Sequence, residues 1–233
     1  MPRTFTVTQL VSRAQKRADM EASDFISDAE WKEYLSSGYA ELYSILAASG
    51  MRYFEATETI TSDGSGSHNL PSDHLSTIGI DRVRSATDRY QLRELMVQER
   101  NQWLTGGASE ARAYALVGAK IELYPTPPSG QQYEHIYVPQ PQDLSEADDG
   151  DSVDVVTPDG EQFLSWYMAV MALAKEESDA RLAIRERERA RERLEEWSTL
   201  RAMNTPRRPV VDEGMGAYQD PADFWGRGGG WGW

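Results

Sequence analysis

Residue types able to carry chemistry are few in this chain, and their spacing selects no reaction. There is no cysteine, which removes disulfide frameworks, thiolate zinc sites, iron–sulfur ligation and thiol nucleophiles together. The histidines, His68, His74 and His135, lack the i, i+4 spacing and the carboxylate pattern that place two imidazoles on one metal, and read as ordinary surface or loop residues. Neither a phosphate-cradling G-x-x-x-x-G-K-[ST] nor a G-x-S-x-G elbow occurs. Gly64-Ser65-Gly66 leads to Asn69-Leu70-Pro71 instead of a helix start, so it reads as a flexible loop. Asp149 and Asp151 sit in an acidic stretch without the residue order or terminal Glu of a calcium loop. With 38 acidic residues, some carboxylate pair always falls at the separation a glycosidase needs, and spacing singles out none. No catalytic, cofactor-binding or metal-binding residue is assigned.

Two features stay unexplained by chemistry. One is an Arg/Glu alternation from Arg185 to Glu196, in which Arg185, Arg189, Glu192 and Glu196 mark a possible inter-subunit helix face, the simpler reading being a solvent face laced by i, i+4 pairs. The glutamates cancel the field that RNA binding by those arginines requires. The other is the C-terminus, where Phe224, Trp225, Trp231 and Trp233 stand on a glycine chain. Such residues expose apolar area that a monomer hides, and indoles anchor well in a partner's pockets. They are therefore candidate anchors for a partner or a neighbouring subunit.

The elements that must position these features follow from periodicity. At 233 residues the chain can bury one large core or two modest ones. Its 24 basic against 38 acidic residues leave a formal charge of −14, which argues against general attraction to phosphate or to an anionic membrane surface. A first helix is predicted over Thr8–Glu21 from Leu10, Val11, Ala14 and Ala18, with Thr8 as its cap. Ser27-Asp28-Ala29-Glu30 is a capping box for a second helix, striped by Trp31, Leu35, Leu42 and Leu46 and closed by Gly50. From Tyr53 the period becomes two. Strands are predicted through Phe54–Thr59, Ile78–Val83, Ala113–Leu116, Lys120–Tyr124 and Tyr133–Val138, with a short helix over Leu92–Leu104. The acid-rich run Asp143–Asp159 reads as a solvated linker. Thr157-Pro158 then starts a helix that is apolar nearly all round and hence central, and a last helix with a narrow apolar seam (Leu182, Ala190, Leu194, Trp197) follows it.

The resulting expectation is an α+β fold: helices of 1–52 and 159–203 forming one bundle, a β-rich insertion over 53–142, an acidic linker over 143–158, and a Gly/Trp-rich tail over 204–233 that is disordered or ordered by a partner. No signal peptide or membrane span is read.

That order, together with Ala48-Ser49-Gly50, Tyr53-Phe54-Glu55-Ala56-Thr57-Glu58-Thr59-Ile60, Leu70-Pro71-Ser72-Asp73-His74-Leu75, Ile121-Glu122-Leu123-Tyr124-Pro125 and the Trp166–Lys175 helix, resembles the head-to-tail adaptor (connector) proteins of tailed bacteriophages, including the tail tubular protein A-like adaptors. The resemblance spans most of residues 8–200 and stops at Asn204. It implies a non-enzymatic virion protein of the neck, assembled in the host cytoplasm. As the family does, it would form a twelve-subunit ring beneath the portal protein, extend the channel through which genomic DNA passes without sequence-specific binding, and present a platform to a tail protein, a nozzle or next connector. No cofactor and no membrane are implied. A virion-associated, peptidoglycan-active hydrolase and an assembly chaperone are the alternatives.

Overall fold

The change of period after Phe54 separates the apolar core of the helices from those of the β-rich insertion. The computed structural model describes residues 4–21, 24–48, 52–96, 98–99, 103 and 110–203. The first core is a bundle of α1 (Val7–Ala18), α2 (Asp28–Ala48), α3 (Pro158–Lys175) and α4 (Arg181–Met203). α1 starts earlier than expected, because Thr6 and Gln9 form the capping box and Thr6, not Thr8, is the cap. Ser27 and Glu30 form the second box as expected, with 3.3 Å from the Glu30 amide to the Ser27 hydroxyl and 3.1 Å from the Ser27 amide to the Glu30 carboxylate. The expected cap at Gly50 lies outside the described residues.

α3 is central. Phe163, Leu164, Met168, Ala169 and Ala172 are all fully buried, and α1, α2 and α4 pack around it. Its approach to α2 depends on Gly38, where a Cβ would stand 2.8 Å from the Tyr167 ring. The Glu161 carboxylate on the first turn of α3 is only 8% exposed and meets Arg13 at 2.9 Å and Arg17 at 3.5 Å, both from α1. A buried charge so enclosed costs little only while both partners stay.

Residues 143–158 correct the linker expectation. Most of their acids face outward, with Asp154 half-buried, but Leu144, Val153 and Val155 are buried in the bundle core. The strand Ser152–Asp154 pairs antiparallel with Thr4–Thr6, in register Phe5↔Val153. Charge count masked this apolar alternation. Lys32 adds an ion pair to Asp149 at 2.9 Å. Val156 turns into α3 with φ 61°, and Gly160 is required there because a Cβ would lie 2.1 Å from the Val155 carbonyl oxygen.

With β1 as Thr4–Thr6 and β10 as Ser152–Asp154, the strands between them form two four-stranded sheets. One is ordered β2 (Ala56–Thr61), β9 (Gln132–Pro139), β4 (His74–Val83), β5 (Arg89–Gln91); the other β3 (Ser67–Asn69), β8 (Lys120–Tyr124), β7 (Ala113–Val117), β6 (Arg93–Glu94). Ile60, Ile80 and Tyr133 from the first sheet and Tyr114, Ile121 and Leu123 from the second share the second core. Ala113, Ala115 and Tyr124 point the other way, toward Leu95 and Trp103. The β7–β8 hairpin turns at Gly118, φ 60°, as its sequence predicts.

Two expectations fail in this region. Leu92–Leu104 does not begin as a helix: Arg93–Glu94 is β6, parallel to β7, and Leu92 and Leu95 enter different cores. Residues three apart take opposite faces in a strand but one face in a helix. Tyr53 and Phe54 are also not strand residues. They form a 3₁₀ turn over Arg52–Phe54 in which Phe54 stacks on Tyr43 at 4.0 Å and the Tyr53 hydroxyl donates to Asp154 at 2.6 Å.

Candidate assembly interface

α4 is built from strong helix formers, and its first turn is set by Asp179, which accepts from the Arg181 amide at 3.0 Å. The Arg181 guanidinium, hydrogen-bonded to the same carboxylate, holds Asp179 down at about 2. Ala183, Ala190, Leu194 and Ser198 form the buried seam against the rest of the bundle. Arg193 ties that seam to the start of α3 through Asp159 at 2.7 Å and Gln162 at 2.8 Å. Arg191 reaches Glu41 on α2 at 3.6 Å.

The residues expected to face a neighbour lie opposite this seam. At about 100° per residue, Arg185, Arg189, Glu192 and Glu196 fall within one narrow stripe, and all four are exposed. Leu182, 57% exposed, and Leu200, 64% exposed, extend the stripe at its two ends. Sequence reasoning placed Leu182 in the packed seam; the structure moves it to the outer face, and Ala183 takes the inner position. Arg189 bonds Glu186 at 2.6 Å within the helix. Among the described residues, neither Glu192 nor Glu196 has an ion-pair partner. The i, i+4 lacing of the simpler reading therefore holds only in part, as in Arg191–Glu195 at 3.0 Å.

The other expected anchors, Phe224, Trp225, Trp231 and Trp233, lie outside the described residues. α4 ends beside the end of α2, where Ser198 and Thr199 share a shallow groove with Ser44, Ile45 and Ala48.

The histidines differ from their expected placement. His135 is fully buried at the centre of β9, in a cluster of three rings with Tyr137 at 5.0 Å and His74 at 5.6 Å, themselves 6.0 Å apart. The Thr77 hydroxyl bridges the two imidazoles, 3.0 Å from His135 Nε2 and 2.9 Å from His74 Nε2. Burial, then the neighbouring His74, pushes His135 down to about 4. A neutral imidazole between hydrogen-bonded neighbours inside a sheet orders the sheet, and being fully buried it meets no substrate. No group of three or more His, Asp or Glu side chains able to hold a metal occurs among the described residues. No described helix is long and apolar enough to cross a membrane.

A family model described as SU10 adaptor protein matches residues 5–225. The chain belongs to the SU10 adaptor protein family. No curated protein matches it. Membership makes this a bacteriophage structural adaptor, a virion component of the head-to-tail neck that meets portal and tail proteins. It also corrects the extent of the resemblance: the SU10 adaptor match runs past Asn204 and takes in Phe224 and Trp225, leaving Trp231 and Trp233 beyond it.

Proposed function

We propose that this SU10 adaptor assembles as a twelve-subunit ring beneath the portal, continues the DNA channel and offers its far side to the next tail component. The observation that carries the reading is the family match over nearly the whole chain. Two physical features support it. The outer stripe of α4 is charged, exposed and opposite the buried seam, its arginines paired among the described residues only with Glu186 of the same helix, which suits contact with a neighbouring subunit. With −14 per subunit, a ring whose channel wall shares that negative balance repels phosphate and lets duplex slide. The tail residues Phe224, Trp225, Trp231 and Trp233 act as anchors on the portal or on the neighbouring adaptor. An interface of charged helices is weak until templated, so the ring forms on the portal and not in its absence.

The test is light scattering coupled to size exclusion, with and without portal rings of the matching phage. A ring-sized complex with about one adaptor per portal subunit is the expected outcome. An adaptor that elutes separately from portal in the mixed sample sinks the reading. Deleting residues 224–233 should abolish co-elution while the far-ultraviolet circular dichroism of the chain is kept. Unchanged co-elution removes the tail from the interface.

A further inference from the structure

The outer stripe of α4 has an internal symmetry that a solvent face does not need. From N- to C-terminus it carries Leu182, Arg185, Arg189, Glu192, Glu196 and Leu200, all exposed, so a basic half precedes an acidic half. Place a second copy of the helix antiparallel, with the two-fold axis between Ala190 and Arg191. Arg185 then faces Glu196 of the other copy and Arg189 faces Glu192, each pair occurring twice. Leu182 falls within one residue of Leu200, closing both ends with apolar contact. The four charges of the stripe sum to zero, whereas the whole chain carries −14. Two copies therefore repel across most of their surface and meet without net repulsion along this stripe.

We propose that the free adaptor pairs with a second copy of itself through antiparallel α4–α4 contact along Leu182, Arg185, Arg189, Glu192, Glu196 and Leu200. The inference rests on reading the stripe as a subunit-facing surface, and it adds how that surface is held before assembly. A two-fold contact uses the same patch on both partners and is closed. It cannot propagate around a ring, so the pair occupies the stripe until the portal template competes for it. One helix of 23 residues against another buries well under the roughly 800 Å² per partner of a standard interface, so the pair is weak, and its charged contacts are screened by salt.

Sedimentation velocity of the full chain across a concentration series tests this. At moderate salt, which screens the long-range repulsion between two chains of charge −14, the wild type should show a concentration-dependent dimer. The double variants Arg185→Glu/Arg189→Glu and Glu192→Arg/Glu196→Arg should each be monomeric alone and should dimerise when mixed. The quadruple variant carrying all four exchanges inverts the pattern, keeps its self-complementarity and should dimerise like the wild type. A wild type that stays monomeric throughout overturns the proposal, and so does a quadruple variant that does not pair when the wild type does. Circular dichroism of each exposed-residue variant confirms folding. The portal experiment fails separately: a chain that dimerises but never rings on portal sinks the ring reading and leaves the pair, while a monomer that rings on portal sinks the pair alone.

Discussion

His135 is a histidine that folding keeps neutral, and the consequence is a pH dependence of known sign. In the unfolded chain it titrates near the ordinary 6.5, and in the fold burial and His74 hold it at about 4. Above pH 6.5 neither state binds the proton. As the pH falls from 6.5 toward 4, the unfolded state takes up a proton that the folded state refuses, so stability declines by about 1.4 kcal/mol per pH unit, levelling off below 4. Between pH 6.5 and 5 the wild type should lose about 2 kcal/mol more than His135→Phe in urea unfolding. Subtracting the variant removes the pH dependence that the two proteins share. Equal losses in the two proteins would show that His135 does not carry this dependence.

At the scale of elements, α4 separates two kinds of apolar residue. Leu194 is fully buried on the seam, and Leu200 is 64% exposed on the stripe. Leu194→Ala should cost about 3 kcal/mol, from lost transfer energy and the cavity left against α3. Leu200→Ser should change stability by less than about 0.5 kcal/mol, as exposed positions do. Urea midpoints with unchanged slope measure both, and a reversed order would mean that α4 is rotated about its axis. The clamp between α1 and α3 obeys a different rule. Glu161→Ala leaves Arg13 and Arg17 without their buried partner and should cost about 3 kcal/mol, more than removal of any surface pair such as Lys16–Glu21.

For the whole molecule the decisive fact is that the insertion closes on itself. Its first strand, β2, pairs with its last, β9, in register Ala56↔Tyr137, and its buried residues form cores separate from that of the bundle. Residues 53–142 expressed alone should therefore fold cooperatively, with a β-type circular dichroism spectrum and a single urea transition. An unfolded fragment would show that contacts such as the Tyr43 hydroxyl to the Pro139 carbonyl, 2.7 Å, are essential to it. The bundle has no such independence: β1 pairs with β10 across the whole insertion, so it closes only after the insertion has been made.

What the sequence determined by itself was local or periodic. The Ser27/Glu30 box, the Thr157-Pro158 start, the Gly118 hairpin, the all-round apolar α3 and the bundle-plus-insertion order follow from spacing and from backbone preferences within a few residues. The adaptor family was legible in the same way, from the order of such pieces. Tertiary structure decided the rest. Arg93–Glu94 is strand and not helix because the flanking Leu92 and Leu95 enter cores on opposite sides, and the acid-rich run 143–158 packs because Phe5 and Val153 meet across the chain. His135 is buried because β4 and Tyr137 cover it. The outward stripe of α4 shows the division most clearly. Its charges are written in the sequence, but which side of the helix they occupy depends on where α3 stands, since burial of Ala183, Ala190 and Leu194 against that neighbour rotates the arginines and glutamates to the outside.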